Sequence, residues 1–238
     1  MGPCDVAYRW PRIDFPVSFP PPLSIDVDQL NSHRISGYDY SNGACNCAHG
    51  YLLNAITQVL KRRKITPRRA FDLGCGNGSV AHWLATQNFA ISGVDPSESG
   101  IAEANRAFPT LDLRVGSAYD PLHSLFGTFP LLLSLEVVEH VYAPRDFAKC
   151  VADLLSPGGI ALISTPYHGY WKNLALAITG KFDSHFTALW DHGHIKFWSP
   201  NTITTLLSEA GLTVLEINRV GRLPQFAKTM LVVAQKCA

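Results

Sequence analysis

The densest chemical signal in the chain is the run Ala70-Phe71-Asp72-Leu73-Gly74-Cys75-Gly76-Asn77-Gly78-Ser79. Apolar residues lead into three glycines spaced G-x-G-x-G and then into a helical pattern, which describes a strand, a turn and a helix start. Glycines at such a turn permit positive φ and let a ligand approach the backbone, while the helix N-terminus offers unpaired N–H groups. Asp72 would sit badly beside a pyrophosphate but suits a ligand carrying an ammonium or sulfonium. Asp95 follows Gly93-Val94 one strand–helix unit later. A carboxylate at that strand end can accept two hydrogen bonds from a ribose diol. Helix capping would explain Ser97 but leaves Asp95 unexplained, so loop and acid together point to a nucleoside. The glycine spacing is not the G-x-G-x-x-G of dinucleotide sites, which disfavours a nicotinamide oxidoreductase.

Two further groups could do chemistry. Glu136, Glu139 and His140 have i, i+3, i+4 spacing and share one face if the chain turns helical there. Two carboxylates and an imidazole make an oxygen-rich cation site, with Mg²⁺ the first choice among hard ions. The alternative is that both acids cap or solvate a helix start, with His140 lining a pocket or acting as general base. The second group lies in residues 166–199, where four of the nine histidines (His168, His185, His192, His194) stand among many aromatic residues. That enrichment marks an amphipathic lid at the carboxyl ends of the strands, where α/β sheets bind ligands. His192 and His194 lack a third partner at metal spacing, so a base or a substrate-orienting role fits them better. Most of the aromatics are expected simply to fill the lid.

The elements that must position these residues are legible as an alternation. Candidate strands fall at 70–73, 90–94, 112–115, 131–135 and 160–164, and candidate helices at 48–63, 79–87, 98–107, 145–154 and 201–210. This alternation implies right-handed βαβ crossovers and a doubly wound, Rossmann-like α/β fold. Two β-like runs at 213–217 and 229–234 have no helix between them, giving seven strands, mostly parallel, closed by an antiparallel pair. Residues 1–47 are proline-rich at their start and read as an arm; residues 48–238 read as one domain carrying the lid as an insertion.

Composition sets the outer limits. The chain has 238 residues, 20 basic and 19 acidic, and is 47% apolar. The balance argues against a nucleic-acid partner, which needs a clear excess of Lys and Arg, and against disorder. Six cysteines with no C-x-x-C pair read as reduced thiols in a cytoplasmic protein. No apolar run approaches the ~20 residues that span a bilayer. The basic run from Lys61 to Lys64 reads as a solvated helix C-terminus.

DLGCGNGS (72–79), GVDPS (93–97), LEVVEHV (135–141) and LSPGG (155–159), in this order, resemble the class I S-adenosylmethionine-dependent methyltransferases. The resemblance covers roughly residues 71–211. Within that family the chain looks most like the small-molecule branch containing the ubiquinone-biosynthesis O-methyltransferases, through E-x-x-E-H and the Thr165-Pro166…His192…Lys196-Phe197 stretch. It implies that Gly74 and Gly76 line the methionine part of S-adenosylmethionine, with Asp72 near its amino group and Asp95 on the ribose. Ser117 and Ala118 would lie beside the adenine, although many relatives carry Asp where Ser117 stands, and Leu135 would pack near the methionine chain. The resemblance also links Glu136, Glu139 and His140 to a divalent cation, and the lid to contact with a membrane surface. The expected reaction is methyl transfer to a small, flat or apolar acceptor, most simply to a hydroxyl. His140 or His192 would be the base, and Tyr40 would close over the cofactor from the arm. An N- or C-methyltransferase would share every cofactor motif, and a non-catalytic binding module would keep the pocket without the turnover.

Overall fold

The computed structural model describes residues 49–237 apart from 187, 191, 192 and 222. The arm over residues 1–47, with Tyr40, and the candidate base His192 therefore lie outside the described residues. The chain order is α1 (His49–Arg62), β1 (Arg69–Leu73), α2 (Ser79–Thr86), β2 (Ala90–Asp95), α3 (Glu98–Ala107), β3 (Asp112–Val115), α4 (Leu122–Phe126) and β4 (Phe129–Leu135). It continues with α5 (Pro144–Leu154), β5 (Leu155–Pro166), α6 (Tyr170–Ile178), α7 (Phe182–Phe186), α8 (Pro200–Glu209), β6 (Leu212–Val220), a 3₁₀ turn (Pro224–Phe226) and β7 (Thr229–Lys236).

The seven strands form one sheet in the order β3-β2-β1-β4-β5-β7-β6. Pairing is parallel from β3 through β5, and β7 runs antiparallel to both its neighbours. The expected terminal antiparallel pair is present, with β7 inside the sheet and β6 at its edge. Strand residues alternate between two cores, as they must when both faces of a sheet are covered. Leu131, Leu133 and Leu231 pack with Leu52 and Ile56 of α1, Leu84 of α2 and Ile101 of α3. Leu132, Ile163 and Val232 pack on the other face with Phe147 and Val151 of α5 and Ile203 and Leu207 of α8. Part of the basic run at the end of α1 is tied down, because Arg62 pairs with Glu216 of β6 at 2.9 Å.

β1 and β4 are neighbours, yet the chain leaves β1 toward β2 and leaves β4 toward β5. Such a reversal opens a crevice beyond the carboxyl ends of the two central strands. The glycine loop leaves β1 there, Asp95 ends β2, and residues 136–140 follow β4. The lid helices α6 and α7 emerge from the same end of β5.

Candidate functional site

The glycine loop is shaped by contacts that side chains would prevent. Gly74, Gly76 and Gly78 have φ of +87°, +52° and +74°, conformations that cost a residue with a Cβ about 1–2 kcal/mol. A Cβ on Gly74 would also stand 2.3 Å from Cγ2 of Val137, so the turn after β4 presses directly on the loop. The N–H groups of Gly74 and Cys75 both donate to the Val94 carbonyl, and that of Gly76 donates to Oδ2 of Asp95 at 2.8 Å. Oδ1 of Asp95 accepts the Ser97 N–H at 2.8 Å, and Ser97 Oγ caps α3 by accepting from Gly100. Each Asp95 oxygen thus holds one backbone N–H and keeps acceptor capacity for a further donor.

Asp72 is different. Its side chain is 2% exposed and Oδ2 has no hydrogen-bond partner. Burial, and then the nearby Asp95 charge, push its carboxyl from the usual 3.8 up to about 7. A buried carboxylate in that condition calls for a cation. The loop therefore fits a ligand with an ammonium or sulfonium at Asp72 and hydroxyls at Asp95, which is the chemistry of S-adenosylmethionine.

Leu135 ends β4 almost fully buried, in the same core as Cys75 of the loop. Ser117 and Ala118 follow β3. Their turn is closed by Asp120, whose Oδ2 accepts the Ser117 N–H at 2.7 Å. Ala118 also lines a cavity of about 430 Å³ together with Tyr119, Leu122, Asp146, Lys149 and Cys150.

The residues after β4 depart from the expected helix face. They form a turn, with the His140 N–H donating to the Val137 carbonyl at 2.9 Å. Glu136 opens it at φ +57°, a left-handed conformation for a residue with a side chain. It is held there by β5 and β7. Its N–H donates to Ser164 Oγ at 3.0 Å, while Ser164 Oγ at 2.8 Å and Thr229 Oγ1 at 3.3 Å donate to its Oε1. These bonds tie Glu136 to β5 and β7 while leaving it near enough to act on Glu139.

The residues that do converge are Glu139, His140 and His194, whose ligand atoms all lie within 4.8 Å of one another. The irregular segment before α8 brings His194 there. The N–H groups of Ile195 and Lys196 both donate to the Glu139 carbonyl at 3.0 Å, and Trp198 Nε1 donates to the Val138 carbonyl at 3.1 Å. His140 Nδ1 lies 3.2 Å from the Gly193 carbonyl oxygen, which can only accept, so Nδ1 carries the proton and Nε2 is the basic nitrogen. Glu139 is 1% exposed with neither oxygen hydrogen-bonded, and burial together with Glu136 raises its carboxyl well above the usual range. Nε2 of His194 is 4.0 Å from Glu139 Oε1, and burial holds the His194 imidazole down at about 4. One carboxylate and two imidazoles are richer in nitrogen than the two-carboxylate set expected, and so suit Mg²⁺ less well.

The sequence reading missed Asp120, Ser164 and Thr229. Only their positions at the ends of strands or just beyond could have flagged them. Trp190 of the segment after β5 meets the His140 and His194 rings at 6.1 and 5.3 Å between centroids, and α6 presents an apolar surface: Tyr170, Trp171 and Ile178 are 72%, 59% and 77% exposed. No described helix is long and apolar enough to cross a membrane.

A doubly wound sheet with a glycine loop at β1, an acid at the end of β2 and a crevice beyond the central strands has the class I methyltransferase fold. A family profile described as "Methyltransferase domain" matches residues 47–217, and the chain belongs to the S-adenosylmethionine-dependent methyltransferases. It is 33% identical over 182 residues to a ubiquinone biosynthesis O-methyltransferase of Bradyrhizobium diazoefficiens, covering 70% of this chain and 69% of that one. It is 25% identical over 206 residues to the protein of that name from Coxiella burnetii, covering 84% and 88%. Among solved structures, the magnesium protoporphyrin IX methyltransferase of Synechocystis PCC 6803 with bound SAH shares the fold at a TM-score of 0.59 and 17% identity, over 83% of this chain and 90% of that one.

Proposed function

We propose that this methyltransferase acts on a hydroxyl oxygen of a small, flat acceptor held between the turn after β4 and the lid. The observation that supports this reading is the cluster of buried Glu139 with half-buried His140 and His194, which the backbone bonds of Ile195 and Lys196 to Glu139 hold beyond the end of β4. When bound, S-adenosylmethionine supplies an electrophilic methyl group on a sulfonium that is already a good leaving group. The chain's own residues then have three tasks. Asp72 and Asp95 fix the cofactor by its charged and hydroxyl ends. His140, its tautomer set by the Gly193 carbonyl, takes the proton from the acceptor oxygen at Nε2. The lid excludes water and aligns the oxygen for in-line attack. The names of the relatives, O-methyltransferases of a quinone pathway, favour an oxygen acceptor over nitrogen or carbon.

A second reading rests on the two unpartnered oxygens of Glu139. They would accept a divalent cation shared with His140 and His194, which would lower the acceptor's pKa. The reading keeps the protein in the cytoplasm, with the exposed face of α6 as the surface that would touch a membrane and no nucleic acid as partner.

The test is methyl transfer from S-adenosylmethionine to a panel of phenols and amines, with products identified by NMR. O-methylated products, lost by at least a hundredfold in kcat in His140→Ala, are expected. Methylation of amines alone, or near-normal turnover in His140→Ala with saturating acceptor, would overturn the reading. Activity abolished by EDTA and restored by a divalent cation would favour the second.

A further inference from the structure

An ammonium taken partly out of water needs acceptors, and the acceptors it finds show what it holds together. Lys172 lies in the first turn of α6, where the lid begins, and is half-buried. Its Nζ donates to the Tyr167 carbonyl at 2.9 Å and stands 3.5 Å from the Ala227 carbonyl oxygen. Both carbonyls lie just past the regular pairing of β5 with β7. The last pair of that ladder is Pro166 with Thr229, and the Tyr167 N–H donates beyond it to the Lys228 carbonyl at 3.1 Å. The ammonium spans the next position, where the two strands part. It therefore acts as one more rung, supplied by the lid.

The strand ends that Lys172 bridges are also the ones that shape the turn after β4. Ser164 of β5 and Thr229 of β7 donate to Glu136, which opens the turn carrying Glu139 and His140. Burial raises the Glu136 carboxyl, and those two hydroxyls, then the charges of Lys228 and Lys172, oppose the rise. A lid-borne cation thus lies close to the acid at the start of the reactive turn. The rest of the lid's hold is uneven. Its base is tied by backbone, with the His168 N–H donating to the Trp198 carbonyl at 3.3 Å. α6 and α7 bury no residue, so apolar packing gives these helices little purchase.

We propose that Lys172 is a positioning residue for methyl transfer, a latch whose ammonium holds α6 against the ends of β5 and β7. The latch keeps the lid in the arrangement that receives the acceptor. This rests on the reading above that the acceptor lies between the turn after β4 and the lid. Without the latch only a fraction of molecules present the docked lid, and apparent acceptor affinity falls by that fraction, whereas saturating acceptor restores turnover.

The test compares the full-length wild type with Lys172→Met and Lys172→Arg, each saturated with S-adenosylhomocysteine, by hydrogen exchange read by mass spectrometry. In Lys172→Met, amides of residues 170–178 should exchange roughly tenfold to a hundredfold faster, the worth of hydrogen bonds from a charged donor. Exchange in β1 to β4 and S-adenosylhomocysteine affinity should stay as in the wild type. With S-adenosylmethionine and the best phenol of the panel above, KM for the phenol should rise roughly tenfold and kcat stay within about twofold. Lys172→Arg, which keeps the charge and the donors, should recover most of both effects. Unchanged exchange over 170–178, faster exchange throughout the sheet, a loss of kcat at unchanged KM, or an arginine variant no better than methionine would each overturn the proposal. If no phenol is methylated, the acceptor reading fails by that result, and the exchange experiment still decides the latch.

Discussion

Replacing Asp72 by Asn should make the ligand-free protein more stable and its cofactor binding weaker. The cause is the buried carboxylate whose Oδ2 has no partner and whose carboxyl is lifted from 3.8 to about 7, first by burial and then by Asp95. Between those two values the native state holds a proton that the unfolded chain has released, so stability falls as pH rises through the window. Above about pH 7 the deficit is complete. At about 1.4 kcal/mol per pH unit it amounts to about 4 kcal/mol, an upper bound because the amide in Asp72→Asn is also buried and polar. For a protein of this size that corresponds to a rise in Tm of up to roughly 8–16 °C. Thermal unfolding followed by circular dichroism should show the gap between Asp72→Asn and the wild type widening from pH 5 to pH 7 and then levelling off. Calorimetric titration with S-adenosylmethionine should show affinity reduced roughly tenfold to a hundredfold, the loss of one charge-assisted contact. A variant no more stable than the wild type at pH 8, or one that binds the cofactor equally well, would refute the reasoning.

Gly74→Ala should combine backbone strain with a collision against Val137, lowering stability by about 2 kcal/mol or more and weakening cofactor binding. Adding Val137→Ala should restore the packing part but not the strain, which denaturant titration of the single and double variants will separate. Glu136→Gln keeps an oxygen for the Ser164 and Thr229 hydroxyls and should leave the unfolding midpoint near that of the wild type. Glu136→Ala leaves both hydroxyls without that acceptor and should cost about 1–3 kcal/mol by the same measurement. Equal losses in the two variants would show that the charge, not the hydrogen bonding, matters there.

Much of the scaffold is visible in local pattern. Strand–helix alternation, the glycines and the Ser97 cap are short-range signals, and the structure places elements close to where the pattern puts them. The order of the last two strands is not such a signal: β7 slots between β5 and β6 because of long-range pairing that neither run carries in itself. The site divides in the same way. Asp72 and Asp95 sit at strand ends that hydrophobic runs mark. The grouping of Glu136, Glu139 and His140 follows helical spacing, whereas Glu136 takes a left-handed turn held by Ser164 and Thr229, partners 28 and 93 residues away, and the ligand atoms that converge are those of Glu139, His140 and His194. Likewise His194 reaches Glu139 through backbone hydrogen bonds from Ile195 and Lys196, which depend on how the lid returns. α6 and α7 are hard to foresee because neither buries a residue deeply enough to imprint a clear core-facing stripe.

The position of β7 has a consequence for how the chain is made. β5 leaves the ribosome well before β7, and among the described residues β6 has no sheet neighbour other than β7. While the lid, α8 and β6 are being synthesised, the edge of β5 therefore stays open, and a nascent chain in that state exposes an apolar strand able to pair with the wrong partner. The β5–β7–β6 half of the sheet can assemble only once residues through about Lys236 have emerged. Thr229, which helps to hold Glu136, arrives with that same strand, so the reactive end of the crevice is completed in the final step of folding, after the glycine loop has all its own neighbours in place.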